Sequence, residues 1–479
     1  MRERNWTSVS AALGALLTAA VVHAQCVQTS KPISLPAVFP SLVAGPIAST
    51  GSTLGLAKSD TSVSSPAIFF AIFDGNLNQT TPDHQVAAAS LNGPGALFWT
   101  GTEFDLFYLR PDYTLVLQRI DASGNPISTP TPMPHSWSSN DEFDVAWSPT
   151  LNAYTVAHFV TLGFDPGLWL SVVTPTGTVV SDLNLSFFPG SPANPRVAPL
   201  PDGTVAVLWS RPNTTPPSTF LALANPTTRT FKIVVISNRA ISNPRIATNG
   251  SAILMVFTSP LTSGGTELRY ALVDTSGTVL KADSSLMTGT GIDIAPLSLM
   301  WNPTLSEWAL VYSDANVGFT VFPGETRLRR FASPTGTFSD TLLSPDPLHN
   351  RMNAPFPIVF MNNGYVGSIQ RVISQTAGSE SYLVKLCPFF VTATATPPVA
   401  RQFVPVTFSA TASGGTPGFS FSWQFGDNDI AQGTVVQHVY QLTGTYTVTL
   451  TGTDAAGATS ITRISVVVTT GGRQRSARH

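Results

Sequence analysis

The chain has 479 residues, and 27 acidic against 25 basic side chains leave a net charge of −2 at pH 7. Charged residues are 11 % of the total while apolar ones reach 43 %, a balance that excludes intrinsic disorder and supplies a sizeable core. Near-neutrality argues against a nucleic-acid partner, whose phosphates need clustered Lys and Arg, and the length suggests two to four domains.

Arg2 and Arg4 open the chain, an apolar stretch runs from Val9 to Val22, and Val22-His23-Ala24 offers small residues where a signal peptidase cuts. Residues 1–24 therefore read as a signal peptide removed before Gln25. The stretch, of about 14 residues, is too short for a bilayer, which takes about 20. Gln25 precedes Cys26, where a lipoprotein would carry a small residue, so no lipid anchor is expected. No other segment has 18 uninterrupted apolar residues. The expected product is exported, extracellular or periplasmic or held at the cell surface, with no transmembrane segment. Losing residues 1–24 removes two Arg and one Glu and leaves 23 basic and 26 acidic residues. Three of the basic ones, Arg473, Arg475 and Arg478, make residues 471–479 a basic tail, read as frayed and solvated.

From there to about residue 390 one pattern recurs: an apolar strand, a tight turn and a second apolar strand. It reads PIASTGSTLGLA (46–57), FWTGTEFDLFY (98–108), VAWSPTLNAYTVAHF (145–159), VAPLPDGTVAVLW (197–209), IATNGSAILMVF (246–257), LMWNPTLSEWALVY (299–312) and PIVFMNNGYVGSI (357–369). Asp202-Gly203, Asn249-Gly250 and Asn363-Gly364 are the residues expected to supply the positive φ of these hairpins. A third strand follows each hairpin, at 67–73, 113–120, 167–173, 218–224, 266–273, 326–332 and 380–386. Six of the seven run into a turn opening with Asp74, Asp121, Thr174, Asn225, Asp274 or Ser333, spaced by 47, 53, 51, 49 and 59 residues. Such side chains start turns by accepting hydrogen bonds from the backbone two residues on.

A period near 50 with about four short strands per unit is the signature of a β-propeller, here of seven blades over residues 25–390. The seventh copy stops after three strands at Leu386-Cys387-Pro388. The segment from Cys26 to about Leu35 is spare, and pairing it there closes the ring without an open edge. Cys26 and Cys387 would then be neighbours, and an exported protein permits them to form a disulfide.

Residues 391–470 turn Thr- and Val-rich with strict alternation. Trp423-Gln424-Phe425-Gly426-Asp427, His438-Val439-Tyr440, Gly444-Thr445-Tyr446-Thr447-Val448-Thr449-Leu450, Asp454 and Gly457 resemble the PKD (polycystic-kidney-disease) domain, with Asn428 standing where the family usually has Gly. The resemblance implies a seven-stranded, immunoglobulin-like sandwich with a chiefly structural Trp423, and some relatives bring attached enzymes to insoluble substrate. The alternation in TYTVTLTGTD agrees with a half-buried strand. Asp427 and Asp429 form a partial D-x-D pair that could hold a cation, but turn-stabilising carboxylates are the expectation.

The fold class is thus all-β, a seven-bladed β-propeller followed by a PKD sandwich. Chemistry is sparse. Asp141, Glu142 and Asp144 stand before the first strand of blade three, read as a loop on one face of the disc. They are the candidate acids, although neighbours on one loop rarely reach the spacing an acid–base pair needs; a solvated edge is expected. Arg327, Arg329 and Arg330 lie on the third strand of blade six and are expected to solvate its outside. His84, His135, His158 and His349 are scattered without ligand spacing. Trp99, Trp147 and Trp301 recur at one place in their blades and read as packing residues. No nucleophile elbow, P-loop or dinucleotide fingerprint occurs, and no cofactor is expected. The reading is a secreted, non-enzymatic binding or adhesion protein for extracellular polysaccharide, cell envelope or surface protein. A glycan-active hydrolase or lyase and a structural scaffold are the alternatives, and low charge content tilts toward binding.

Overall fold

The computed structural model describes residues 29–33, 42–60, 66–90, 94–133, 143–160, 167–185, 193–290, 292–316, 324–334, 338–342, 358–361, 364–374, 378–386, 389–415, 417–455 and 459–470. Every element among them is a β-strand. Seven four-stranded antiparallel sheets come first, six of them built from consecutive strands. Their first strands touch one another in order, and that of blade 1 (Leu42–Ser49) meets that of blade 7 (Ile358–Met361), so the sheets form a closed seven-bladed propeller. All seven third strands fall where the repeat places them.

The seventh sheet closes the ring. Its order is Thr29–Pro32, Gly378–Leu386, Gly364–Ser374, Ile358–Met361, and Thr29 pairs with Lys385 as Pro32 pairs with Tyr382. The spare N-terminal segment thus supplies the fourth strand. Cys26 and Cys387 lie outside the described residues.

Burial explains why the repeat is so visible. Second and third strands are covered on both faces by neighbouring blades, so they read as apolar runs rather than alternations; Val205–Arg211 is buried at every position. Seven apolar clusters fill the seven clefts between blades, from Phe70 against Phe104 at the first to Leu54 with Val366 at the last. The turns opened by Asp74, Asp121, Asn225 and Asp274 are as expected, while Thr174 accepts instead from Thr178 N–H. Asp121 Oδ1 accepts from the N–H groups of Ser123 and Asn125, and Asp274 Oδ1 from those of Ser276 and Thr278. In the hairpins Gly203 and Gly250 supply the positive φ, at 85° and 88°; Asn363 lies outside the described residues.

First strands differ, because their free edge faces the central axis. Five carry a register shift at a proline, which lies inside the shift at Pro46, Pro195 and Pro244 and borders it at Pro94 and Pro296. Proline is tolerated at an edge, where its missing N–H breaks no ladder, and a bulge there re-aims the side chains that follow.

Beyond Phe389 the chain forms a sandwich. Phe390–Thr396, Pro405–Ser413 and Val435–Val439 make one sheet; Val399–Arg401, Thr459–Thr469, Gly444–Thr453, Ser420–Gln424 and Ile430–Gln432 make the other. That is eight strands against the seven expected, the extra piece being Val399–Arg401, which runs parallel to Thr459–Thr469 after a change of sheet. Trp423 is fully buried between the sheets with Phe408, Phe425 and Leu450, its indole N–H donating to Gly433 O at 2.9 Å.

Candidate functional site

The first strands of all seven blades converge on a central cavity of about 410 Å³. Most of its lining residues are apolar in type, but three ionisable side chains enter it among the described residues: Asp144, Arg196 and Arg245. They come from blades 3, 4 and 5 and occupy equivalent places, opposite Ala157, Leu208 and Val256 of their own second strands.

Each side chain reaches forward to the backbone of the next blade. Asp144 Oδ2 accepts from Val197 N–H at 2.8 Å, Arg196 Nε donates to Pro244 O at 3.0 Å, and Arg245 Nε donates to Leu297 O at 2.7 Å. Ser298, at the equivalent place in blade 6, continues the series, its hydroxyl accepting from Ile358 N–H at 3.2 Å. Each arginine also turns back, Nη1 of Arg196 donating to Pro195 O and Nη1 of Arg245 to Pro244 O. Pro244 O therefore accepts from both guanidiniums.

The bulges place the two arginines. Asn194 and Asn243, just before each proline, take φ of 57° and 49°, a left-handed conformation that Asn tolerates. In the sequence this is the tripeptide Asn-Pro-Arg, at 194–196 and again at 243–245. Neither arginine stands out by local charge; the repeated tripeptide was the signal.

Asp144 is the one member of the acidic trio that the structure describes, and it corrects the expected solvated edge. It belongs to the first strand of blade 3 (Phe143–Ser148) and faces the cavity. It touches cavity solvent but is walled in by the surrounding blades, and this desolvation pushes its carboxyl up against the pull of Arg196, Val197 N–H and Arg245. Asp141, Glu142, His135 and His349 lie outside the described residues.

Other candidates serve packing. Arg329 and Arg330 are buried, not solvating the outside. Arg330 makes a two-pronged pair with Glu307, which also accepts from Tyr365 of the next blade at 2.8 Å. Arg329 lies over the Tyr312 ring, and Arg327 is half-buried. Facing strands in a propeller are covered by the next blade, so a middle-strand arginine is enclosed. Trp99, Trp147 and Trp301 are half-buried, packing on Phe104, Tyr154 and Trp308 across their hairpins with centroids 4.7, 4.9 and 5.0 Å apart. His84 lies on the fourth strand of blade 1, and His158 is buried in the second strand of blade 3.

In the sandwich, Asp427 and Asp429 come together with His438, their donor atoms within 4.8 Å of one another. Asp427 Oδ2 lies 2.7 Å from His438 Nε2, and Asp427 Oδ1 accepts from Asp429 N–H at 3.3 Å. His438 stacks flat on Phe425 at 4.2 Å. Asp427 thus holds both its turn and a core-facing histidine, and a cation there would have to break the histidine contact. Asn428 takes φ of 78°, so the turn keeps a left-handed residue although Gly is replaced. Residues 390–469 match the PKD domain family. That stretch is a PKD domain. No curated protein matches the chain.

Among solved structures the chain is similar to TolB from Acinetobacter baumannii, at 15 % identity over 70 % of this chain and 80 % of that one, TM-score 0.36. It is also similar to the β-propeller domain of the Trilobed protease from Pyrococcus furiosus, at 9 % over 72 % and 95 %, TM-score 0.43. A puromycin-hydrolyzing peptidase of Mycobacterium tuberculosis matches at 11 % over 71 % of this chain and 53 % of its own, TM-score 0.46. The propeller assignment rests on the strand order itself. Among the described residues, no helix is long and apolar enough to cross a membrane.

Proposed function

We propose that this chain is a secreted binding or adhesion protein whose propeller (25–390) holds its ligand in the central cavity and whose PKD domain (391–470) acts as spacer or interaction module. The target is extracellular polysaccharide, with cell envelope or surface protein as other partners. One observation carries the reading: the cavity combines oriented guanidiniums, apolar side chains and a single carboxylate among the described residues, a set suited to holding a ligand. Hydrolysis of a glycosidic bond ordinarily asks for two carboxylates.

Asp144 supports a second reading. A desolvated carboxyl retains its proton more readily and is suited to general acid work, so a glycan-active hydrolase or lyase is the competitor. The test is to incubate the purified chain with soluble and insoluble polysaccharides, recording both pull-down and newly released reducing or unsaturated ends. Binding without release supports the first reading. Release abolished by Asp144→Asn establishes the second. Export is tested by sequencing the N-terminus of the mature protein, expected at Gln25.

A further inference from the structure

One end of the PKD domain exposes apolar side chains that its core does not use. Arg401-Gln402-Phe403-Val404 forms a turn closed by Val404 N–H donating to Arg401 O at 3.2 Å, and Phe403 takes φ of 63° in its third place. Gly or Asn suits that conformation, and a bulky residue there is strained. Leu77 of blade 1 has a similar φ of 61°, but it is 1 % exposed, so packing offsets the strain. Phe403 is 70 % exposed and lies outside the sandwich core. Strain borne by an exposed aromatic points to recognition.

The turn has an apolar neighbour. Phe403 N–H donates to Tyr440 O and Gln402 Nε2 to Gln441 O, both at 3.0 Å, which brings residues 440–443 alongside. They present Leu442, also 70 % exposed, whose carbonyl accepts from the Tyr446 hydroxyl at 2.9 Å. Val404 and Val439 extend the patch. Gln402 N–H donates to Thr469 O at 3.0 Å, so the last strand delivers the chain to this same end. Residues 471–479 follow with Arg473, Arg475 and Arg478, and Arg401 is exposed in the turn itself. Of the acids of the sandwich, Asp427 is engaged by His438, Asp429 is exposed before the Ile430–Gln432 strand, and Asp454 lies past the opposite end of Gly444–Thr453. Positive charge therefore prevails at the tip, four arginines against two aspartates.

We propose that this tip docks on an anionic lipid bilayer, with Phe403 and Leu442 entering the headgroup region and the arginines facing lipid phosphates. Side chains protruding from two adjacent turns suit a fluid surface, which needs no preformed pocket to receive them. A single weak anchor gives only marginal membrane binding, whereas apolar insertion combined with basic residues holds. The inference rests on the reading of the PKD domain as an interaction module and is independent of what the cavity holds.

The experiment is flotation of the exported chain, expected to start at Gln25, with vesicles of phosphatidylcholine alone or with about one-third phosphatidylglycerol. Retention on the anionic vesicles is expected, about tenfold weaker on neutral ones and falling several-fold between about 0.05 and 0.5 M NaCl. Phe403→Gly and Leu442→Ser should each weaken retention about fivefold or more, as should replacing Arg473, Arg475 and Arg478 together by Gln. Because Gly suits the turn, the unfolding temperature of Phe403→Gly should hold or rise, which separates lost docking from lost fold. Retention unchanged in both apolar variants overturns the tip assignment, and equal retention on neutral and anionic vesicles overturns the charge component. Self-association that Phe403→Gly abolishes, without vesicle retention, overturns the lipid in favour of a second copy. No retention on either vesicle overturns the inference, while the polysaccharide pull-down still decides the reading beneath it.

Discussion

Tyr154 of blade 3 donates its phenolic proton to Asp105 Oδ2 of blade 2 at 2.5 Å, across a blade boundary where both residues are fully buried. The other carboxyl oxygen, Oδ1, has no hydrogen-bond partner among the described residues. Burial dominates the consequence: the Asp105 carboxyl is pushed up to about 6, with Glu103 raising it further and the Tyr154 hydrogen bond and Arg119 pulling it down.

A carboxyl held near 6 in the fold and near 3.8 when unfolded binds more protons in the native state between those values. Its contribution favours the fold at low pH and is lost as pH rises through about 6, a swing of ~3 kcal/mol. Asp105→Asn keeps an acceptor for Tyr154 and removes the charge. Thermal unfolding of both proteins from pH 4 to 8 should show the variant gaining on the parent as pH rises, then levelling off above about pH 7. A difference that does not change with pH would refute the assignment.

Lys58 is fully buried in blade 1 and pairs with Asp83, which also accepts from Gln79 Nε2 at 3.0 Å. Burial lowers the Lys58 ammonium while Asp83 raises it. Removing one partner strands a buried charge, so Asp83→Asn should lower stability by ~3 kcal/mol. Lys58→Met combined with Asp83→Asn should recover most of that loss. Denaturant unfolding of the three proteins checks the cycle, and a double variant no better than the single one contradicts it.

Gly426 of the PKD domain has φ of 88°, and a Cβ placed there would lie 2.8 Å from the carbonyl oxygen of Thr447. That neighbour is backbone and cannot swing aside. Gly426→Ala should destabilise the domain by ~2–3 kcal/mol, left-handed strain plus clash. Asn428→Gly, two residues on at φ 78°, should instead stabilise it by a few tenths of a kcal/mol, up to ~1. Calorimetry of the full chain reads both, and a neutral Gly426→Ala would refute the backbone contact.

The pairing of Thr29 with Lys385 brings the segments flanking Cys26 and Cys387 into one sheet. A disulfide between them is therefore the expected state, stabilising by up to ~5 kcal/mol for so long a loop. Intact mass under non-reducing conditions should be 2 Da below that of the reduced chain, and two alkylatable thiols in native exported protein would refute the bond.

The blades were legible because strands covered on both faces leave apolar runs, and because turns such as that at Asp274 leave a recurring polar residue. Trp423 was legible through its motif. The central cavity was not. It is lined by strand edges, where Pro, Asn and Arg are all admissible, so the sequence there resembles a loop. Asp144 followed two other acids and so passed for solvated surface, although the pleat aims it inward. Arg329 and Arg330 misled in the same way, since enclosure by a neighbouring blade leaves no local mark on an arginine-rich strand.

The strand Thr29–Pro32 belongs to the same sheet as Gly378–Leu386. On a ribosome, these pieces emerge more than 340 residues apart, roughly 20 to 70 seconds of elongation at about 5–20 residues per second. Blades 1 to 6 can assemble from neighbours in sequence as they appear. The seventh must wait, its earliest strand idle and exposed, until almost the whole ring has been made. Vectorial synthesis therefore makes closure the last step of the propeller and the interval before it the period of greatest exposure to misassembly.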